Sequence, residues 1–375
     1  MNHSNNLTFE DFFQQVEKNS YSGENKIIDL GQGNPKIQIP EKVINRFCKY
    51  LQDSMNHKYP NNIYLKELKF QVQNLYKNKF FTEIDVNNIG VYNGAKKIFY
   101  LLFNSLLDNR SNVLLIDPAY PDYEKILLSI TQNIVKLPVY NNLPDTREIE
   151  NIVKKHNIDL IVFNYPNNPT GVIANSKFWN EINILSEKYD IFVVNDFTYS
   201  DYVFGDFFSP SLLQDFQTNH KLIEVYSFSK NFTIPGWRIA SIIANNDIIN
   251  CLTEKDNLME IGMFNPIVKT LNYILSNYKN SSFVTSSLYQ ENMEYVKNKL
   301  STIENWEITI PNSGMFLWIY IGEHDSWNYF LYLLHVKNII ILPGLLYGEN
   351  YRNYIRLSMN TTFKEIDDLV ERIKS

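Results

Sequence analysis

Short apolar runs alternate with longer stretches of helical spacing through the middle of the chain. Runs at 113–117, 134–139, 160–164, 191–196, 222–228 and 239–244 predict strands. Several are continuously apolar rather than alternating, the pattern of strands covered on both faces. Between them, apolar residues recur with helical period over 95–107, 122–130, 146–155 and 176–189. This βαβα order predicts a largely parallel sheet with helices on both sides. After about residue 275 the texture changes. A long amphipathic stretch at 286–303 leads to strand-like 306–310 and 315–321, a helix near 327–336, strands at 339–342 and 354–359, and a last helix from Thr362. The expectation is an α/β protein with a large domain over 45–275 and a smaller α+β domain built from 1–44 and 276–375.

Composition narrows the function classes. A chain of 375 residues has room for two such domains and an ample core. Hydrophobic residues are 44% and charged residues 20%, as in ordinary globular proteins. A formal net charge of -6 counts against nucleic acid or an anionic membrane as the main partner. The two cysteines, Cys48 and Cys251, give no disulfide framework and suit a reducing cytoplasm. The histidines (His3, His57, His156, His220, His324 and His335) show no ligand spacing, so no metal site is expected. Residues 1–25 lack the basic start and apolar run of a signal peptide. No stretch offers about 20 unbroken apolar residues, so no membrane span is expected.

Candidate chemistry gathers just after the predicted strands, where open α/β sheets bind ligands. Ser227-Phe228-Ser229-Lys230 is followed by Arg238, eight residues after the lysine. A lysine amine can condense with a carbonyl, which is how proteins hold pyridoxal 5′-phosphate (PLP). Hydroxyls at Ser227 and Ser229 and the guanidinium of Arg238 suit a phosphate dianion. A lone lysine is more often a solvated surface group. Asp196 ends the run 191–196, where its carboxylate either pairs with a protonated ring nitrogen or caps the next helix, with Tyr199 three residues on. Asn164-Tyr165-Pro166-Asn167-Asn168-Pro169-Thr170-Gly171 also follows a strand and offers the Asn168 amide, although Asn/Pro turns are common. Asn93-Gly94-Ala95-Lys96 opens a predicted helix and is either an anion-binding turn or an ordinary glycine-led start. Tyr123, in Asp117-Pro118-Ala119-Tyr120-Pro121-Asp122-Tyr123, is either a stacking ring or core packing. Arg356 sits among alternating apolar residues and needs an anion, from the protein or from a substrate carboxylate. Gly31-Gln32-Gly33 is a tight turn without the third glycine of a dinucleotide fingerprint.

Taken together, and in this order, these segments resemble the class I/II aminotransferases, PLP-dependent enzymes of fold type I. The likeness runs from Gly31 to about Met359, and the strings at 227–238 and 164–171 are its most specific parts. It implies a large domain with a mostly parallel sheet flanked by helices, plus a smaller α+β domain. It also implies ping-pong transfer of an amino group between an L-amino acid and a 2-oxo acid through a Schiff base on Lys230. By the same resemblance, Asp196 binds the pyridine nitrogen, and Tyr199 and Asn168 bind the phenolate oxygen. Ser227, Ser229, Arg238 and the turn at Asn93, Gly94, Ala95 and Lys96 hold the phosphate. Tyr123 stacks on the ring, and Arg356 clamps the substrate carboxylate beside Gly33. Family members are homodimers with shared active sites, and Tyr59 fits the tyrosine that reaches the neighbouring phosphate. Where the family commonly has glycine this chain has Tyr64, which puts a bulky side chain near the expected substrate entrance. The same cofactor motifs also serve C–S β-lyases, decarboxylases and cyclases, and a non-catalytic PLP-binding module is a remoter alternative.

Overall fold

The computed structural model describes residues 7–20, 26–35, 37–217, 219–278, 282–283 and 286–375. Residues 1–6 and 21–25, part of the expected small domain and including His3, lie outside the described residues. In chain order the helices are α1 (Phe9–Ser20), α2 (Glu41–Gln52), α3 (Asn62–Lys79), α4 (Ala95–Leu106), α5 (Pro121–Leu128), α6 (Thr146–His156) and α7 (Ser176–Tyr189). There follow α8 (Phe228–Asn231), α9 (Asn246–Asn257), α10 (Asn265–Asn277), α11 (Ser286–Leu300), α12 (Ser326–Lys337) and α13 (Phe363–Lys374). The strands are β1 (Ile28–Asp29), β2 (Ile89–Tyr92), β3 (Val113–Asp117), β4 (Ile134–Pro138), β5 (Leu160–Phe163), β6 (Phe192–Asp196) and β7 (Leu222–Ser227). The remainder are β8 (Ala240–Ile243), β9 (Glu307–Ile308), β10 (Phe316–Tyr320), β11 (Ile339–Ile340), β12 (Leu342–Pro343) and β13 (Tyr354–Ser358).

Seven strands form the main sheet, in the order β2-β8-β7-β6-β5-β3-β4. The pairs from β7 through β4 are parallel, and β8 runs antiparallel to both of its neighbours. The unbroken apolar runs are explained by cover on both faces. Along β3, Leu114 and Ile116 enter one core while Val113 and Leu115 enter another. Along β5 the same split separates Ile161 and Phe163 from Leu160 and Val162. Each of these side chains is withdrawn from water, a gain of about 1.5–3 kcal/mol apiece. Chain order reverses between adjacent β3 and β5, because the chain leaves β3 for the outer β4 before returning to β5. Such a switch opens a crevice at the carboxyl ends of the strands.

A third core belongs to a four-stranded sheet, β12-β13-β10-β9, with α11, α12 and α13 around it. Phe12 of α1, Ile28 and Leu30 join this core, and β1 pairs in parallel with β11. The sequence pattern predicts one strand over 339–342. The structure divides it: β11 pairs with β1, whereas β12 pairs with β13 in the other sheet. Helices α1, α2, α3, α9 and α10 lie outside the predicted elements. No helix among the described residues is long and apolar enough to cross a membrane.

Candidate active site

The carboxyl ends of β3, β5, β6 and β7 surround a cavity of about 350 Å³. Of the residues named from sequence, Gly33, Ala95, Lys96, Tyr123, Asn168, Asp196, Tyr199, Ser227, Ser229, Lys230, Arg238 and Arg356 all border it. Chain topology, not proximity in sequence, brings them together.

Lys230 lies on α8, the single turn that follows β7, and the Ser227 hydroxyl caps that turn by accepting from the Ser229 amide at 3.3 Å. The Lys230 amine donates to the Gly33 carbonyl at 2.5 Å. Burial, then the positive charges of Arg356 and Arg238, bring its pKa down to about 8. Asp196, at the end of β6, is buried, and burial pushes its carboxyl above the usual range. One carboxylate oxygen accepts from the Thr198 amide at 3.0 Å and the Thr198 hydroxyl at 2.5 Å; the other accepts from the Tyr123 hydroxyl. Tyr123 therefore holds the carboxylate as well as lining the cavity.

The loop after β5 is built by its own asparagines. Asn164 accepts from the Asn168 amide at 3.0 Å and donates to the Asp196 carbonyl at 2.9 Å. The Asn167 side chain accepts from the Thr170 amide and hydroxyl. This fixes Asn168, whose side-chain oxygen accepts from Arg356 at 3.0 Å and from the Tyr347 hydroxyl at 3.0 Å. Arg356, in the middle of β13, donates further to the Tyr347 hydroxyl at 2.9 Å and the Gly31 carbonyl at 2.7 Å, and lies 3.8 Å from the centre of the Phe316 ring. Its buried Nε has no acceptor. At the other end, Gly94 stands before α4 with φ 91°, and a Cβ there would come within 2.6 Å of the Arg238 guanidinium. Only glycine lets Arg238 approach the α4 N-terminus so closely.

The described polar partners of Lys230, Arg238 and Arg356 are carbonyls, an amide oxygen and a hydroxyl rather than carboxylates. An orphaned buried N–H costs about 1–3 kcal/mol unless a ligand satisfies it. Cations facing neutral acceptors, a glycine cradle at Arg238 and a buried carboxyl across the cavity fit a ligand with a phosphate, a basic ring and a carbonyl. That donor set suits PLP together with a carboxylate-bearing substrate.

Asn93, Tyr59 and Tyr64, all named from sequence, do not border this chain's own cavity. The Asn93 side chain turns away to donate to Glu260 at 2.5 Å, because Glu260 and Asp256 gather it and Lys97 into one polar cluster. Tyr59 is 79% exposed and does not line this chain's own cavity. Tyr64 packs against the main core and over the Lys269 ammonium, 4.7 Å from its ring centre, instead of entering the cavity. Other cavity residues were not singled out. Asn164 and Tyr120 belong to strings already noted, and Thr198 follows Asp196 by two residues, the spacing of an Asx turn. Phe9 and Phe13 of the lining, and Tyr347 behind Asn168 and Arg356, carry no local sequence signal for the site.

An α/β sheet with a lysine after one central strand and a buried aspartate ending its neighbour defines a fold-type-I PLP enzyme. The profile of the "Aminotransferase class I and II" family matches residues 25–373, and the chain belongs to that family. The transaminase BacF of Bacillus subtilis is 26% identical over 96% of this chain and 92% of its own length. An LL-diaminopimelate aminotransferase from Halothermothrix orenii is 28% identical over 93% of this chain and 90% of its own. The solved structure of substrate-bound BacF is 27% identical and superposes with a TM-score of 0.88, covering 98% of this chain and 93% of that one. The chain is a PLP-dependent aminotransferase.

Proposed function

We propose that Lys230 carries the cofactor and then serves as the proton-transfer base of an exchange between an L-amino acid and a 2-oxo acid. The observation that carries this reading is the Lys230 amine, brought to about 8 by burial and by Arg356 and Arg238, inside a cavity that also holds Asp196. When bound, PLP supplies an electron sink for the bond broken at the substrate's α-carbon. Ser227, Ser229, Arg238 and the first backbone amides of α4 at Ala95 and Lys96 bind its phosphate. Asp196, held by Thr198 and Tyr123, takes the ring nitrogen. Asn168 and Tyr199 donate to the phenolate oxygen, and Tyr123 also contributes a ring contact. Arg356 binds the substrate carboxylate through the face that includes its orphaned Nε. Lys230 Nζ, with a usable neutral fraction near neutral pH, accepts the α-proton and returns it.

We divide the chain into a large domain over 45–275 and a small one from 1–44 and 276–375, a division supported by the separate cores around the two main sheets, with Val43 and Phe283 packing on the large one. We assign the working form to a homodimer. Tyr59, Ile63, Leu258, Ile261 and Phe264 are exposed apolar residues on neighbouring segments, since Pro60 meets Gly262 and Asn61 donates to the Asn265 side chain at 3.0 Å. A contiguous patch of this kind marks an interaction surface. Pairing through it carries Tyr59 towards the other copy's phosphate. Two unbridged cysteines suit a cytoplasmic setting.

Replacing Lys230 with Ala tests the reading. The wild type, loaded with PLP and given an L-amino acid with 2-oxoglutarate, is expected to yield the matching 2-oxo acid and to keep PLP covalently after borohydride reduction. Lys230→Ala should lose both. Substantial remaining turnover would sink the assignment.

A further inference from the structure

The cavity has a third wall that neither the cofactor nor the carboxylate clamp uses. It is built by α1. Thr8 and Asp11 cap this helix reciprocally, the Thr8 amide donating to the Asp11 carboxylate at 2.8 Å and the Asp11 amide to the Thr8 hydroxyl at 3.2 Å. Phe12 is buried against Phe330 of α12, and Asn19 donates to the Leu334 carbonyl at 3.1 Å. From the opposite side Lys125 of α5 pairs with Glu10 at 2.6 Å. So α1 is pinned to the small sheet's helices and to the large sheet's helices at once, across the mouth of the cavity.

The spacing of Phe9, Phe12 and Phe13 puts three aromatics on one stripe. Phe12 faces inward against Gly31, where a Cβ would meet its ring at 3.2 Å. Phe9 and Phe13 stack with ring centres 6.3 Å apart, and Phe9 reaches Tyr120 at 6.2 Å. All three of these rings border the cavity, yet Phe13 is 43% exposed. Burial is therefore not what keeps an aromatic there. The polar groups beside this wall, Gln32 and Asn34, are neutral and bond each other at 2.9 Å. Lys96, the remaining cation on the lining, is already paired with Asp122 at 3.1 Å.

We propose that the amino-acid substrate carries an aromatic side chain, received by Phe9, Phe13 and Tyr120. The inference rests on the aminotransferase reading above and adds the substrate class. With the carboxylate on Arg356 and the amine towards Lys230, the side chain points to this wall. It meets π faces there and, among the described residues, no free cation, an environment that favours a ring over a second carboxylate.

The test uses PLP-loaded wild type and the Phe9→Ala and Phe13→Ala variants. Calorimetry would compare two unreactive acids, 3-phenylpropionate and succinate. Phenylpropionate should bind at least about tenfold tighter than succinate, and each variant should weaken it about threefold to tenfold while leaving succinate within about twofold. Succinate binding as tightly, variants that leave phenylpropionate unchanged, or no binding by either acid would overturn the proposal. In parallel, L-phenylalanine and L-aspartate are offered to the wild type and the loss of the cofactor's long-wavelength absorbance is followed. Response to aspartate alone overturns only the substrate class. Response to neither, nor to any other amino acid, overturns the aminotransferase reading with it.

Discussion

Lys230 shows how a site sets the chemistry of one side chain. An ordinary lysine amine is almost wholly protonated at pH 7 and a poor nucleophile. Here burial disfavours the ammonium first, and the charges of Arg356 and Arg238 add to that. Cofactor capture by the cofactor-free protein should therefore rise with pH and level off just above 8, whereas an unperturbed lysine would keep gaining beyond pH 10. Arg356→Met removes one of the facing charges and should move that midpoint upward; stopped-flow absorbance across a pH series gives it directly. An unchanged midpoint would show that the Arg356 charge contributes nothing to the shift. Asp196 was legible in the sequence through the resemblance to a known family, since an aspartate that ends a strand is by itself as readily a helix cap. Phe9 and Phe13 were not, because nothing in their neighbourhood announces that Tyr120 will lie against Phe9.

Glu224 carries the argument to the level of elements. It lies in the middle of β7, wholly buried, and accepts from Tyr76 of α3 at 3.0 Å, the Ser211 hydroxyl at 2.8 Å, the Leu212 amide at 2.9 Å and Asn195 of β6 at 3.3 Å. One carboxyl thus ties a helix, a loop and a neighbouring strand behind Lys230. Burial outweighs those donors and raises its pKa to about 7. The folded chain keeps this proton up to about pH 7, while the unfolded chain releases it above its ordinary 4.5. Between those values the folded state binds more protons, so stability is lost as pH rises through the window. Glu224→Gln should remove on the order of 2–3 kcal/mol of that pH dependence. Urea midpoints of both proteins at pH 5 and pH 8 measure it, and equal slopes would count against the account. The elements themselves were read well where both sheet faces are covered, since unbroken apolar runs such as 113–117 leave little else to be. The division of 339–342 was hidden because each half owes its sheet to a distant partner: β1 for one, β13 for the other. Helix α10 packs against both α2 and α3 beside the main sheet, and in α3 the polar and apolar residues are spread around the axis so that no clear period announces it.

For the molecule as a whole, the proposed dimer makes a testable claim on Tyr59. Its ring is solvent-exposed in a single chain, so Tyr59→Phe should leave the fold and thermal midpoint nearly unchanged. If the hydroxyl reaches the other copy's phosphate, the variant should hold PLP about tenfold more weakly. Sedimentation, together with PLP titration of the Lys230→Ala background, separates assembly from retention. A monomer at micromolar concentration, or unaltered retention, would exclude this role.

The pairing of β1 with β11 joins Ile28 to a residue more than three hundred positions later. Gly31 and Gly33, which hold Arg356 and Lys230 by their carbonyls, follow β1 directly. During synthesis the residues of the seven-stranded sheet emerge well before β11, and domains tend to fold as units as they appear. The segment around Gly31 must wait for almost the entire remaining chain before it has a strand to join. At ribosomal rates of about 5–20 residues per second, that interval lasts from roughly fifteen seconds to a minute. A nascent chain can thus present the proposed cofactor cradle while the proposed carboxylate clamp around Arg356 does not yet exist.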